Sequence, residues 1–215
     1  MALSVDFNLY LITDRHQAVA GDLLAVVRAA LDAGVRAVQL REKDLPDAEL
    51  LPLAESLRSL TLDYQARLLI NSRIDVALAV AADGVHLPST HPQLASARQQ
   101  LGSDKLLGVS THSLSEIAAA TAAGASFITF GPVFPTPSKL RYGDPLGVAA
   151  LKDACDQCDL PVFALGGISI ERLAELQSSD MAGVALIGGI IAARDPGFAA
   201  RNYLDTFASM TSGKK

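Results

Sequence analysis

The sequence predicts a single α/β domain folded as a (β/α)8 TIM barrel. Three observations predict it. Short β-like apolar runs alternate with longer Ala/Leu-rich segments of helical spacing. Eight such β-then-α units fill the 215 residues at about 27 each, near the lower limit for this barrel. The last two strands each run into a Gly-Gly pair, where barrels commonly bind phosphate. An open doubly wound sheet uses the same alternation; the count of eight and the paired endings favour the barrel.

The units follow in order. Leu9 to Ile12 reads as a strand and Asp22 to Ala33 as a helix. Ala37 to Leu40 and Leu68 to Ile70 are strands, with the helix Asp47 to Leu62 between them. Arg73 to Ala81 is a short helix, Gly84 to Leu87 a strand, Pro92 to Leu101 a helix and Leu106 to Val109 a strand. Leu114 to Ala123 is helical, Phe127 to Phe130 a strand and Leu146 to Cys155 a helix. Val162 to Leu165 and Gly183 to Ile187 are the last strands, followed by helices at Ile170 to Gln177 and Gly197 to Ala208. Gly34, Gly124 and Gly183 fall just before strands, where caps or tight turns need them. No Pro/Ser-rich linker divides the chain, so residues 1–215 read as one domain.

Half the residues are apolar, enough for a sizeable core, which excludes intrinsic disorder. The longest apolar run, Met181 to Ala193, is too short to span a bilayer, and no secretory signal is expected at the N-terminus. A net charge of −5 makes duplex nucleic acid and anionic membrane surfaces poor partners. Anionic small molecules stay open, because local charge decides those; a homo-oligomer is also open. Cys155 and Cys158 can form neither a disulfide framework nor a four-ligand zinc site, so a reducing cytoplasm is expected.

In such a barrel the chemistry sits where strands end. Gly166-Gly167 follows the seventh strand and Ile187-Gly188-Gly189 the eighth. Phosphate needs backbone N–H groups brought close, without side chains in the way; the plainer reading is two tight turns. Strand parity puts Gln39 and Arg41 on one face, opposite Val38 and Leu40. An arginine fork at the mouth suits an anion, while Glu42 and Lys43 read equally as a solvated loop. Asn71 ends the third strand and can cap the next helix or face the site. Ser110 and His112 share parity, and Ser113 with Glu116 has capping-box spacing, which leaves His112 for proton transfer. The stretch from Gly131 to Pro145 carries Thr136, Ser138, Lys139 and Arg141. It reads as a lid over an anionic ligand, hinged at Gly131 and Gly143, or as a Pro-stiffened surface loop. No acidic cluster at the strand ends supports a divalent-metal site. Cys155-x-x-Cys158 lies away from the mouth and reads as chance helical cysteines.

Several runs occur in fixed order. They are Leu9-Tyr10-Leu11-Ile12-Thr13-Asp14, Val38-Gln39-Leu40-Arg41-Glu42-Lys43, Leu69-Ile70-Asn71, Asp83-Gly84-Val85-His86-Leu87, Gly108-Val109-Ser110-Thr111-His112-Ser113-Leu114 and Phe130-Gly131-Pro132-Val133-Phe134-Pro135-Thr136. Together they resemble the thiamine phosphate synthase/TenI family of small barrels, over about Leu9 to Ala193. That family holds synthases, which join a pyrimidine pyrophosphate to a thiazole phosphate with magnesium, and TenI-like thiazole tautomerases, which use no metal. The resemblance implies that Arg41, Lys43, Asn71, Ser110 and Lys139 hold pyrophosphate. It places Thr136 and Ser138 beside the thiazole phosphate, whose phosphate meets the backbone of Gly166, Gly167, Ile187 and Gly188.

The departures then weigh. Synthases carry one aspartate directly after the strand-three asparagine and another shortly after strand four, both for magnesium. Here those positions are Ser72 and His91, within Leu87-Pro88-Ser89-Thr90-His91, a run similar to TenI-like proteins. A hydroxyl and an imidazole do not replace two carboxylates for a hard cation. The expectation is therefore a metal-independent thiazole phosphate tautomerase with His112 as its acid–base group and Arg41 and Lys43 on the substrate carboxylate. The alternatives are a magnesium-dependent synthase, with Asp14 or substrate oxygens holding the metal, and a non-catalytic phosphate-ligand sensor.

Overall fold

The structure is a computed structural model that describes residues 4–18, 21–136 and 144–212. The strands are β1 (Leu9–Ile12), β2 (Ala37–Leu40), β3 (Arg67–Asn71), β4 (Gly84–Pro88), β5 (Leu106–Thr111), β6 (Phe127–Phe130), β7 (Val162–Leu165) and β8 (Gly183–Leu186). All pair in parallel with their sequence neighbours, and β8 pairs with β1 to close the barrel. The helices are α1 (Leu23–Asp32), α2 (Asp47–Asp63), α3 (Ile74–Ala79), α4 (Leu94–Leu101), α5 (Leu114–Ala122), α6 (Gly147–Asp156), α7 (Ile170–Leu173), α8 (Gly188–Ile191) and α9 (Pro196–Ser212). The predicted (β/α)8 barrel is the observed fold.

Strand parity sorts the core into two layers. Leu9, Leu11, Val38, Leu40, Leu68 and Ile70 point outward into a cluster shared with the helices. Tyr10, Ile12, Ala37, Leu69, Leu106, Phe127, Phe163 and Ala185 point inward and fill the barrel. Phe7, just before β1, packs its ring on Tyr10, Phe127 and Phe163 at centroid distances of 5.8, 5.7 and 5.2 Å. Above this aromatic plug the inward residues turn polar: Gln39, His86 and Thr129 are all buried.

Several elements differ from expectation. The helix expected over Ile170 to Gln177 is α7 followed by a 3-10 turn at Ala174–Leu176. The four-residue α8 was not foreseen, because it is shorter than the window in which helical periodicity can be read. β3 and β5 run on to Asn71 and Thr111, past the ends expected at Ile70 and Val109. No helix among the described residues is long and apolar enough to cross a membrane.

Candidate active site

The C-terminal strand ends surround a cavity of about 580 Å³. Gln39, Arg41, Lys43, Asn71, Ser110, His112, Thr136, Gly166, Gly167, Ile187 and Gly188 all line it. Two other expected site residues, Ser138 and Lys139, lie outside the described residues, as do Arg141 and Gly143.

One side of the cavity is the β2–β5 arc. Arg41 is half-buried, and burial lowers its pKa against the pull of Asp14 and Glu42. Lys43 is exposed at the rim. Asn71 does not cap the next helix: α3 starts after Arg73 with no side-chain cap, and Asn71 Nδ2 donates to Ser72 Oγ at 3.1 Å. Glu42 is not part of a solvated loop. It is 5% exposed and accepts from the Thr13 hydroxyl at 2.6 Å and from Arg15 N and Nη1.

The opposite side is the β7–β8 end. Gly166 (φ 98°) and Gly167 (φ 65°) both need left-handed backbone. A Cβ on Gly166 would lie 2.6 Å from Pro132, and one on Gly167 would lie 2.6 Å from the Pro135 carbonyl oxygen. Their lack of side chains thus seats the β6 loop as well as opening backbone to the cavity. Val133 N and Phe134 N donate to the Leu165 and Gly166 carbonyls at 2.9 and 3.0 Å. This corrects the hinge expected at Gly131, which is packed between strand ends, with Leu165 O where its Cβ would sit.

His112 is exposed on the rim, with Nδ1 hydrogen-bonded to the Gly131 carbonyl. The expected capping box forms in part. Ser113 Oγ accepts from Glu116 N at 3.3 Å, but Glu116 reaches back to His112 N rather than to Ser113 N.

The floor joins two expected residues, Gln39 and Ser110, through two that were missed, Tyr10 and His86. Gln39 Nε2 donates to the Tyr10 hydroxyl at 2.9 Å, Tyr10 lies 3.4 Å from His86 Nδ1, and His86 Nε2 lies 2.9 Å from Ser110 Oγ. The parity that picked out Gln39 also selects His86, which sits inward between outward Val85 and Leu87. Burial, and secondarily the Arg41 charge, push the His86 pKa down to about 3. The unfolded chain therefore takes up a proton first as the solution is acidified. The stabilising contribution is complete above the ordinary histidine pKa and is lost as pH falls from about 6.5 toward about 3. His86 alone is expected to cost about 2 kcal/mol between pH 7 and pH 5. Urea unfolding at the two pH values should show that loss, and His86→Gln should lack it; equal pH dependence in both proteins would contradict it.

The residues do not fit the magnesium that the family resemblance implies. Ser72 Oγ is neutral and bound to Asn71, and His91 Nδ1 accepts from Gln93 N at 3.2 Å. Asp14 accepts from His16 N and, at 2.6 Å, from Gln17 Nε2. Among the described residues no group of three His, Cys, Asp or Glu could hold a metal ion. Cys155 and Cys158 do not form a reactive dithiol: burial pushes the Cys155 thiol up to about 11 and raises Cys158 too.

Comparison with known proteins supplies the family. The thiamine monophosphate synthase family matches residues 9–190. A putative thiamine-phosphate synthase of Geobacter sulfurreducens is 57% identical over 93% of this chain and 94% of its own length. A thiamine-phosphate synthase of Desulfitobacterium hafniense is 38% identical over 94% of this chain and 98% of its own. The solved thiamine phosphate pyrophosphorylase of Pyrococcus furiosus superposes with a TM-score of 0.86 at 31% identity, covering 95% of this chain and 96% of that one. These relatives are named as synthases, which overturns the tautomerase expected above. The acid–base role given to His112 goes with it. That expectation let two missing carboxylates outweigh the arginine, lysine, hydroxyl and glycine positions that remain around the cavity. Similar in sequence over nearly its whole length and alike in fold, the chain belongs to the thiamine monophosphate synthase family.

Proposed function

We propose that this protein is a transferase that joins hydroxymethylpyrimidine pyrophosphate to thiazole phosphate and releases pyrophosphate. The observation that carries this reading is the two-sided cavity. Cationic and hydroxyl groups of the β2–β5 arc face the glycine backbone of the β7–β8 end across one space. Two anionic substrates need two such poles.

In the reaction the thiazole nitrogen forms a bond to the pyrimidine methylene carbon. The bond from that carbon to the pyrophosphate oxygen breaks, and the electron pair leaves with the pyrophosphate. Arg41, Lys43 and Ser110 oppose the charge that grows there, and fixed donors do so without reorganising. The backbone at Gly166, Gly167, Ile187 and Gly188 fixes the thiazole phosphate and so the attack angle. Both ligands are small molecules, and the two free thiols among the described residues fit a reducing cytoplasm.

The test supplies both substrates, with and without magnesium, and follows thiamine phosphate and pyrophosphate. Equal formation of the two products is expected, and Arg41→Ala should lower kcat/KM by roughly 100-fold or more. No thiamine phosphate under either condition would sink the reading.

A further inference from the structure

The polar floor of the cavity has a direction. Gln39 Nε2 donates to the Tyr10 oxygen, so the Tyr10 proton must go elsewhere, and the acceptor in reach is His86 Nδ1. Burial drives the Tyr10 pKa upward, so the phenol keeps that proton. An imidazole that accepts at Nδ1 and is neutral carries its hydrogen on Nε2. That hydrogen points at Ser110 Oγ, 2.9 Å away. Thr129 Oγ1 also donates to Ser110 Oγ, at 3.4 Å. A hydroxyl oxygen has two acceptor positions and one proton. With both acceptor positions taken from beneath, the Ser110 proton is left for the cavity that Ser110 lines.

The imidazole is also held in place. It is 2% exposed and packs beside both the Tyr10 and Phe127 rings, at centroid distances of 5.6 and 5.7 Å. Gly108 is its partner on β5, and a Cβ there would lie 2.5 Å from His86 Nδ1.

We propose that His86 is a positioning residue: the Gln39–Tyr10 relay fixes it as the Nε2–H tautomer, and it turns the Ser110 hydroxyl outward as a donor to a pyrophosphate oxygen. The identity of that anion rests on the proposed function; the direction of the relay does not. The reverse direction would have Tyr10 accept from both Gln39 and His86. The phenolic proton would then have no acceptor in this network, and an unmatched donor that deeply buried is costly.

Two measurements test it without turnover. The first is 15N NMR of histidine-labelled protein at pH 7. It should show His86 as the Nε2–H tautomer, unchanged at pH 5, and Tyr10→Phe should shift the population toward Nδ1–H. The second is calorimetric titration with inorganic pyrophosphate. Ser110→Ala and His86→Leu should each weaken binding roughly tenfold, and His86→Gln, whose amide can still donate, should recover most of it. An Nδ1–H or protonated ring, no pyrophosphate binding by the wild type, or full binding by folded His86→Leu would each overturn the proposal. If His86→Leu fails to fold, the wild-type spectrum still decides. An inactive transferase with this tautomer and this binding intact would remove the proposed function alone.

Discussion

Gly131→Ala is expected to destabilise the protein by about 3 kcal/mol or more, and to lower its Tm by roughly 6–12 °C. Gly131 follows β6 directly, and its own N–H reaches the Thr111 carbonyl at 3.3 Å. A Cβ there would lie 1.9 Å from Leu165 O and 2.8 Å from Leu165 C. Those are backbone atoms of the neighbouring strand, so no rotamer change relieves the overlap. Leu165 O is also the acceptor for Val133 N, so moving it away breaks the bond that seats the β6 loop. The measurement is thermal and urea unfolding beside Gly147→Ala. Gly147 sits at φ 85° with nothing within 4 Å of its Cβ position, so an alanine there meets conformational strain without collision. That control should cost about 1–2 kcal/mol. Equal losses in the two variants would show that the β6–β7 junction yields.

The same junction shows what was legible in the sequence. Period-two parity along the strands placed Gln39, Arg41 and Ser110 on the cavity side, because alternate residues belong to two different layers, one inside the barrel and one under the helices. The Gly-Gly pairs were legible as close-approach positions. Their second task, making room for Pro132 and the Phe134–Pro135 turn, was not, since the collision partner lies on another strand's loop. His86 and Thr129 were overlooked for a related reason. A lone polar residue in an apolar strand declares its parity, but its partners, Tyr10 and Ser110, are 76 and 24 residues away. The reaction was misread because Ser72 and His91 were visible as two substitutions in a motif. Arg41, Ser110 and the β7–β8 glycines were already expected at one mouth and do line one cavity, but they were given less weight than those two substitutions.

Glu42 carries the other large effect, and it reaches the site from behind. Its Oε1 accepts from the Thr13 hydroxyl, both oxygens lie 3.1 Å from Arg15 N, and Oε2 also meets Arg15 Nη1 at 3.2 Å. Thr13 Oγ1 in turn accepts from Arg41 N at 2.9 Å, so one carboxylate fixes the ends of β1 and β2 and the backbone of the cavity's arginine. Glu42→Ala removes an acceptor from donors that are buried or partly buried and leaves them unmatched, which should cost about 3 kcal/mol or more. Glu42→Gln keeps the shape but sets amide hydrogens against hydroxyl and N–H donors, so its loss should fall between alanine and wild type. Asp44 pairs with the same arginine through Arg15 Nη2 at 2.6 Å, but its side chain is 54% exposed. Asp44→Ala should therefore leave stability near wild type, because solvent screens exposed pairs. Under the proposed function, the loosened Arg41 backbone should also raise KM for the pyrophosphate-bearing substrate in Glu42→Ala while Asp44→Ala leaves it unchanged. Urea unfolding of the three variants with parallel kinetics makes the comparison. If the two alanine variants behave alike, the stability lies in the ion pair with Arg15 and not in the buried acceptor. The coupling from Glu42 through Thr13 to Arg41 would then be wrong.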